Sequence, residues 1–519
     1  MTTLRCVAAV MLVGLCAAPA GTAVFAQPAA VPQAPPAVSR TLVDVLGAAE
    51  PHTPSQYNRG QAFRYALEGA GAPSTVLVLI PGLNSGPNTM DLIARALLTA
   101  HGPGLEIWIT APRPTFLQDR RGIAAALAYR HPDFALGYYY GALEIDGRRF
   151  QLLTGTEIPY MAYWGLDVHL RDIDAIVREA GTRYPGVRVV LGGHSLGGIL
   201  AATYAGYDFA AVPGSPASPP RPPDIGAGRL AGLVFIDGLP VRVPLRLTRD
   251  QYLHGLWVPF LGRIPGLDAL TDPDPTRRAA PFTKTRKLAR TKDSILLDVL
   301  SVYAYLRPKA ASYFPFPPRR GIRITNEALV AAIFSDQMQP DRLIRANVER
   351  PIGVFATVPD PTNINRHGLL DLHSGYPAAG ESLIRLPEGP ATPRPRVSIQ
   401  KLLSAILLPG GDFTEWYFPW RLVLDLGLAS SLQPSDAFAQ QYMSLTHVGD
   451  TALPMLIIGA GTGLVNSTQV TEFYRAHVAT PPDRVTIKIF PEFSHLDVED
   501  ADPNPAVPLI LTWLTSVVH

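Results

Sequence analysis

Short, β-branched apolar runs recur along the chain at Thr75–Ile80 (TVLVLI), Leu105–Thr110 (LEIWIT), 187–191 (VRVVL), 230–236 (LAGLVFI), 455–458 (MLII) and Val485–Phe490 (VTIKIF). A run of this length without polar alternation is the mark of a strand covered on both faces. Between the runs, apolar positions return with helical spacing at about 89–98, 167–180, 196–207, 469–479 and 506–518. Alternation of this kind predicts a mainly parallel sheet with helices on both faces. A hairpin is expected within 138–153, turning at Asp146-Gly147. Two stretches break the rhythm. Residues 212–224 (VPGSPASPPRPPD) read as a proline-rich surface excursion. From 240 to 452 more than two hundred residues separate one core strand from the next. They contain helical patterns at 294–306 and 398–408 and an aromatic run, Trp416-Tyr417-Phe418-Pro419-Trp420. A plain loop of that length is not expected, so this stretch is assigned to a folded cap or lid.

The N-terminus carries Arg5, an apolar run from Cys6 to about Ala20, and Val24-Phe25-Ala26 with small residues at cleavage-type positions. Residues 1–26 therefore read as a secretory signal peptide, since the apolar run falls short of the roughly 20 residues a spanning helix needs. An exported protein is expected, periplasmic or secreted, with no membrane span in the mature chain. Residues 27–50 begin as a Pro/Ala tether (QPAAVPQAPPAV), so ordered structure is expected from the forties or fifties onward. The catalytic core is assigned to 51–239 and 453–519.

Composition narrows the functional classes. There are 45 basic and 43 acidic residues in 519, a net charge of +2, which argues against a nucleic-acid partner. The chain is 47% hydrophobic, too apolar for a disordered protein. With 52 prolines it should hold long irregular segments. Both cysteines, Cys6 and Cys16, lie in the leader, so a disulfide framework or a Cys-rich metal site is not expected in the mature protein.

The sharpest motif is Gly193-His194-Ser195-Leu196-Gly197, a G-x-S-x-G pattern entered by the strand VRVVL and left by the helical stretch LGGILAATYAGY. A strand-to-helix turn this tight lifts the serine hydroxyl above the carboxyl edge of the sheet, at a helix N-terminus. A serine is a poor nucleophile at its free pKa, so it needs a base held in place by a third group. Among 12 histidines, His495 stands out: it follows the last strand, in a loop opening on the same edge as Ser195. His194 is fixed inside the turn, His477 lies in a helix, and His254, His367, His373 and His447 fall in the insertion. For the acid, the strand MLII leads into GAGTGLVNSTQV, with Thr462 and Gly463 where a carboxylate would be sought. One strand earlier, Asp237 ends LVFI, either as the acid that orients His495 or as a cap on its own turn. Glu492 and Asp497 flank the histidine too closely in sequence to reach its far nitrogen, and Asp497 is expected to brace its own loop. Two backbone donors should converge on a developing oxyanion: Leu196, after the nucleophile, and Leu83 (or Asn84) in the turn PGLNSG after the first buried strand.

Together these residues resemble the α/β-hydrolase fold superfamily, of the serine esterase and lipase kind. The elbow GGHSLGG at 192–198, the turn IPG at 80–82, Asp237 and the SHLD stretch at 494–497 carry the likeness, over about 61–239 and 453–519. The insertion has no such likeness. The superfamily usually places its acid after the strand that follows the cap; here it falls one strand earlier, as in a minority of lipases. The resemblance implies that Ser195 forms an acyl-enzyme, His495 moves the proton and Asp237 fixes the ring tautomer. It implies a cofactor-independent hydrolase of carboxylic esters, on small-molecule or lipid-like substrates. The competing readings are an amide or peptide hydrolase and a binding protein on a hydrolase scaffold. Trp257, Trp416 and Trp420 are candidate substrate-binding residues in the insertion. The set Asp167, His169, Asp172 and Asp174 has a metal-like look but also fits the solvated face of an amphipathic helix, so no metal is assigned. The basic run 284–292 (KTRKLARTK) reads as a solvated segment of the cap.

Overall fold

The computed structural model describes residues 38–211, 222–240, 247–258, 262–282, 291–314, 323–335, 344–346, 348, 352–353, 369–371, 397–429 and 447–518. The leader, most of the 212–224 excursion and residues 284–290 of the basic run lie outside these residues. The strands, in chain order, are β1 (Val38–Leu46), β2 (Arg59–Leu67), β3 (Thr75–Ile80), β4 (Leu105–Thr110), β5 (Glu144–Ile145), β6 (Arg148–Arg149), β7 (Arg188–His194) and β8 (Gly232–Ile236). Within the long insertion follow β9 (Leu256–Val258), β10 (Gly262–Ile264), β11 (Arg323–Ile324), β12 (Ile352–Gly353) and β13 (Leu369–Asp371); β14 (Met455–Ala460) and β15 (Val485–Phe490) return to the core. Eight of them form one sheet in the order β1-β2-β4-β3-β7-β8-β14-β15. The ladders joining β4, β3, β7, β8, β14 and β15 are parallel, whereas β1 and β2 are antiparallel.

Every apolar run assigned to the core is a strand, and in all of them but β15 the alternation splits the side chains between two buried layers. From β3, Val76, Val78 and Ile80 pack with Ile173, Ile176 and Val177 of the helix Leu166–Arg183 and with Leu200 of the helix Leu196–Ala205. Leu77 and Leu79 of the same strand face the opposite way, toward Ile93 and Leu97 of Asp91–His101 and Ile510 and Leu514 of Ala506–Val518. The chain folds as an α/β hydrolase. A third apolar cluster, with Tyr138, Val299, Ile406, Phe413 and Trp416, joins the insertion to the helices Arg121–Ala128 and Asp133–Tyr140.

The register sets where the site can form. Ile80 pairs with Gly193, His194 with Ile236, Ile236's neighbour Phe235 with Ile457, and Ala460 with Phe490. The turns carrying Gly82, Ser195, Asp237, Gly461 and Pro491 therefore open side by side on one edge.

Three expectations need correction. Part of the assigned tether is a strand, because β1 lies within 27–50 and pairs along its whole length with β2. Neither strand has a continuous apolar run; their polar residues alternate through an antiparallel edge, which an apolar-run criterion passes over. The expected hairpin is reduced to the two-residue ladder β5–β6, because Asp133–Tyr140 is helical. Its turn is as expected, with Asp146 and Gly147 both at positive φ (51° and 70°). Finally, β15 is an edge strand with Thr486 and Lys488 exposed, so it is not covered on both faces. Among the described residues no helix is long and apolar enough to cross a membrane.

The packing of the elbow yields a stability prediction. A Cβ on Gly197 would stand 2.0 Å from the Ile80 carbonyl oxygen, inside van der Waals contact with backbone that cannot move aside. Gly197→Ala should cost on the order of 3 kcal/mol, at the upper end of overpacking penalties. It should appear as a lowered midpoint in chemical denaturation.

Candidate active site

Ser195 sits between β7 and its following helix with φ 54° and ψ −120°. A non-glycine residue pays for such a conformation, and it persists because neighbours hold it. The Ser195 N–H donates to the Ile236 carbonyl at 3.0 Å, pinning the elbow to β8. The turn after β3 lies directly against it: a methyl at Gly82 would come within 3.1 Å of Ser195 Cβ. Leu196 opens its helix, so its N–H has no carbonyl one turn back. Among the described residues neither the Leu196 nor the Leu83 N–H has a hydrogen-bond partner.

Asp237 is fully buried at the end of β8, also at positive φ (43°). Its side chain does not cap its own turn. One carboxylate oxygen accepts the Ala460 and Val465 N–H groups (3.1 and 2.8 Å), and the other accepts Leu464 N–H at 3.0 Å. That second oxygen also accepts Nδ1 of His495 at 2.5 Å. The loop GAGTGL after β14, where the acid would ordinarily be sought, is instead the cradle of an acid supplied by β8. Gly463 is required there, since a Cβ would fall 1.9 Å from the Asp237 carboxylate. Burial alone would raise the Asp237 pKa, yet the imidazole and the loop N–H groups outweigh it and hold it below the usual carboxylate range. An ionised carboxylate only accepts, so His495 carries its proton on Nδ1 and leaves Nε2 as a free base.

His495 is 2% exposed. Its loop is braced as expected by Asp497, which accepts both the N–H and the hydroxyl of Ser494 at 2.7 Å. The insertion also reaches it, through Leu496 N–H to the Arg345 carbonyl at 3.0 Å. Among the described residues the Ser195 hydroxyl makes no hydrogen bond, in keeping with the loose nucleophile–base contacts of unliganded sites. Sequence reasoning missed His194 as more than part of the turn: its ring lies 4.4 Å from that of His495, and its Nε2 is 3.0 Å from the His495 carbonyl oxygen.

The insertion lies over the same edge. Ser85 bridges to Thr414, and Glu415 N–H donates to the Asn84 carbonyl at 3.0 Å. Ile80, Gly82, Leu196, Leu200, Phe418 and Leu422 line a cavity of about 40 Å³ here, with Glu415 and His169 also at its wall. Burial, reinforced by Asp412, pushes the Glu415 carboxyl well above its usual range. The three candidate tryptophans are not gathered around this cavity. Trp416 is buried edge-on to Tyr139 and Phe150 and donates its indole N–H to Asp298 at 3.0 Å. Trp420 is buried at the head of the helix Trp420–Ala429, and Trp257 is 69% exposed on β9. Along the aromatic run it is Phe418 that lines this cavity.

The metal-like set is dispersed among other partners. Asp167 pairs with Arg171, Asp172 with Arg113 and Asp174 with Arg178, while His169 Nδ1 lies 2.8 Å from the Gly165 carbonyl. This face is not the solvated one expected, because Asp174 is buried and the Asp172–Arg113 pair fastens the helix to the segment after β1.

No protein family matched the chain, and no curated protein matched it. Solved structures did. A candidate lipase from Sulfolobus solfataricus aligns at 12% identity and TM-score 0.46, over 92% of this chain and 94% of that one. A thermostable carboxyl esterase from Bacillus coagulans aligns at 10% identity and TM-score 0.38, over 93% and 99%. A haloalkane dehalogenase variant from Bradyrhizobium elkanii aligns at 10% identity and TM-score 0.36, over 92% and 97%. Likeness this distant does not choose among chemistries, and the fold assignment rests on the strand order and the elbow.

The Asp237 cradle has a pH signature. Its folded pKa lies below the unfolded value of about 3.9, so it contributes stability above that pH and loses it as pH falls through the depressed value. Denaturant titrations of wild type and Asp237→Asn should differ by a constant amount above about pH 5 and converge below about pH 4.

Proposed function

We propose that the protein is a serine hydrolase that cleaves carboxylic esters, with Ser195 as nucleophile, His495 as general base and acid, and Asp237 as the group that orients it. The observation that carries this reading is the 2.5 Å hydrogen bond from His495 to Asp237, made on the edge of the sheet where the strained Ser195 stands. In this mechanism Ser195 Oγ attacks the ester carbonyl carbon as its proton passes to Nε2 of His495. The oxyanion is held by the free N–H groups of Leu196 and Leu83. The tetrahedral intermediate collapses, the alcohol leaves with the proton from Nε2, and an acyl-serine remains. Water then repeats the sequence, giving up a proton to His495 and releasing the acid.

The cavity beside Gly82 and Leu196, walled by Leu200, Phe418 and Leu422 but also by Arg113, Asp172 and Glu415, takes only a small group. Its volume is well under the roughly 150 Å³ in which a benzene ring is held. Residues 240–452 act as a cap over the site in this reading, with 414–418 as the part seated on the oxyanion turn. Residues 1–26 are removed on export, so the mature protein begins at Gln27.

Ser195→Ala should abolish turnover of short p-nitrophenyl esters and labelling by a fluorophosphonate probe, while Asp237→Asn should lower kcat on the order of 10⁴-fold. Full activity in either variant overturns the assignment. Ester and amide analogues of one acyl group, compared in the same assay, decide between ester and amide hydrolysis. Export is checked by N-terminal sequencing of the protein recovered outside the cytoplasm, with Gln27 as the expected first residue.

A further inference from the structure

Behind the imidazole lies a second set of buried polar groups that the mechanism above does not use. His194 Nε2 stands 3.0 Å from the His495 carbonyl oxygen, and a carbonyl only accepts, so Nε2 carries a hydrogen. On the other side of the ring, His194 Nδ1 is 3.4 Å from Oε1 of Glu499. His194 is 2% exposed and Glu499 is 1% exposed; neither Nδ1 nor either Glu499 oxygen has a hydrogen-bond partner among the described residues. Groups sealed this far from water are strongly driven to pair.

We propose that Glu499 and His194 form a hydrogen-bonded chain, Glu499 carboxyl to His194 Nδ1 and His194 Nε2–H to the His495 carbonyl, that fixes the backbone from which the His495 imidazole reaches Asp237 and Ser195. Both are positioning residues, and the inference rests on the catalytic reading of Ser195, Asp237 and His495. With Nε2 protonated and the ring neutral, Nδ1 is a lone pair, and only a protonated carboxyl can donate to it. The surroundings agree. Burial, with the neighbouring Asp500 adding to it, pushes the Glu499 carboxyl well above its usual range. Burial, with the His495 ring adding to it, draws His194 down to about 3. The titratable groups facing the pair are His495 and Asp237 from the site and Asp500 from the short helix Asp497–Asp500. Asp500 faces Asp497 and Asp91, and Asp91 is paired with Arg95 at 2.9 Å. An ionised Glu499 would oppose a lone pair with a negative charge, so raising the pH opens the chain and loosens the His495 loop.

The test compares Glu499→Leu, which removes the donor, with Glu499→Gln, which keeps a neutral one. Glu499→Leu should lower kcat by roughly 10- to 100-fold at unchanged KM, the size of loss that follows removal of a partner orienting a metal-ligating histidine. Glu499→Gln should recover most of that loss and should lack the alkaline fall in kcat expected of wild type as Glu499 ionises. An unaffected Glu499→Leu, or equal losses in both variants, overturns the inference. Retained turnover in Ser195→Ala would instead overturn the catalytic reading. A readout independent of turnover is ¹⁵N NMR of histidine-labelled Ser195→Ala protein at pH 7. A neutral His194 ring protonated on Nε2 is expected, and a doubly protonated ring overturns the neutral chain whatever the activity.

Discussion

The structure depends on a carboxylate placed where water cannot reach it. An ionised group so deep is sustained only if every lone pair facing the interior meets a donor. Asp237 meets four, three of them backbone N–H groups from the last residue of β14 and the loop after it and one the imidazole of His495. That requirement ties together the ends of β8, β14 and β15, which are remote in sequence. It also explains why the loop GAGTGL is glycine-rich: it has to close around an oxygen atom rather than carry a side chain of its own. The acid's unusual position and the loop's composition are two sides of one arrangement.

The elbow obeys a related constraint. Ser195 and Asp237 both adopt left-handed conformations at adjacent strand ends, and the hydrogen bond from Ser195 N–H to Ile236 joins them. Strain at two neighbouring positions is tolerable because the layers above and below the sheet leave the backbone nowhere to relax. The insertion adds a further restraint through Thr414 and Glu415, which bond to the turn bearing Leu83. The turn bearing Leu83 is therefore supported from the sheet below and the insertion above.

Much of this was readable from the chain. The runs TVLVLI, LEIWIT and VTIKIF coincide with strands to the residue: the first two are buried throughout between helix layers, and in the third the apolar residues that alternate with exposed Thr486 and Lys488 pack on one face. Ser195, Asp237 and His495 were found as ends of strands, and strand ends follow from periodicity. The edge pair β1 and β2 was missed because antiparallel edges tolerate alternating polarity. The aromatic run of the insertion was recognised, but not which ring lines the cavity. Trp416 turns into the cluster with Tyr139 and Phe150, while Phe418 meets the cavity.

By itself the sequence determined the order of strands and helices, the strained serine turn and the residues available at one edge, since these depend on local periodicity and short-range sterics. It did not determine that Asp237 would cross to the β14 loop, or that His194 and Glu499 would meet behind His495. Those pairings join residues more than two hundred positions apart, and hydrogen-bond partners at such separation are selected by strand register and burial. Only the folded sheet, which brings the ends of β7, β8, β14 and β15 to one edge and excludes water from them, decided them.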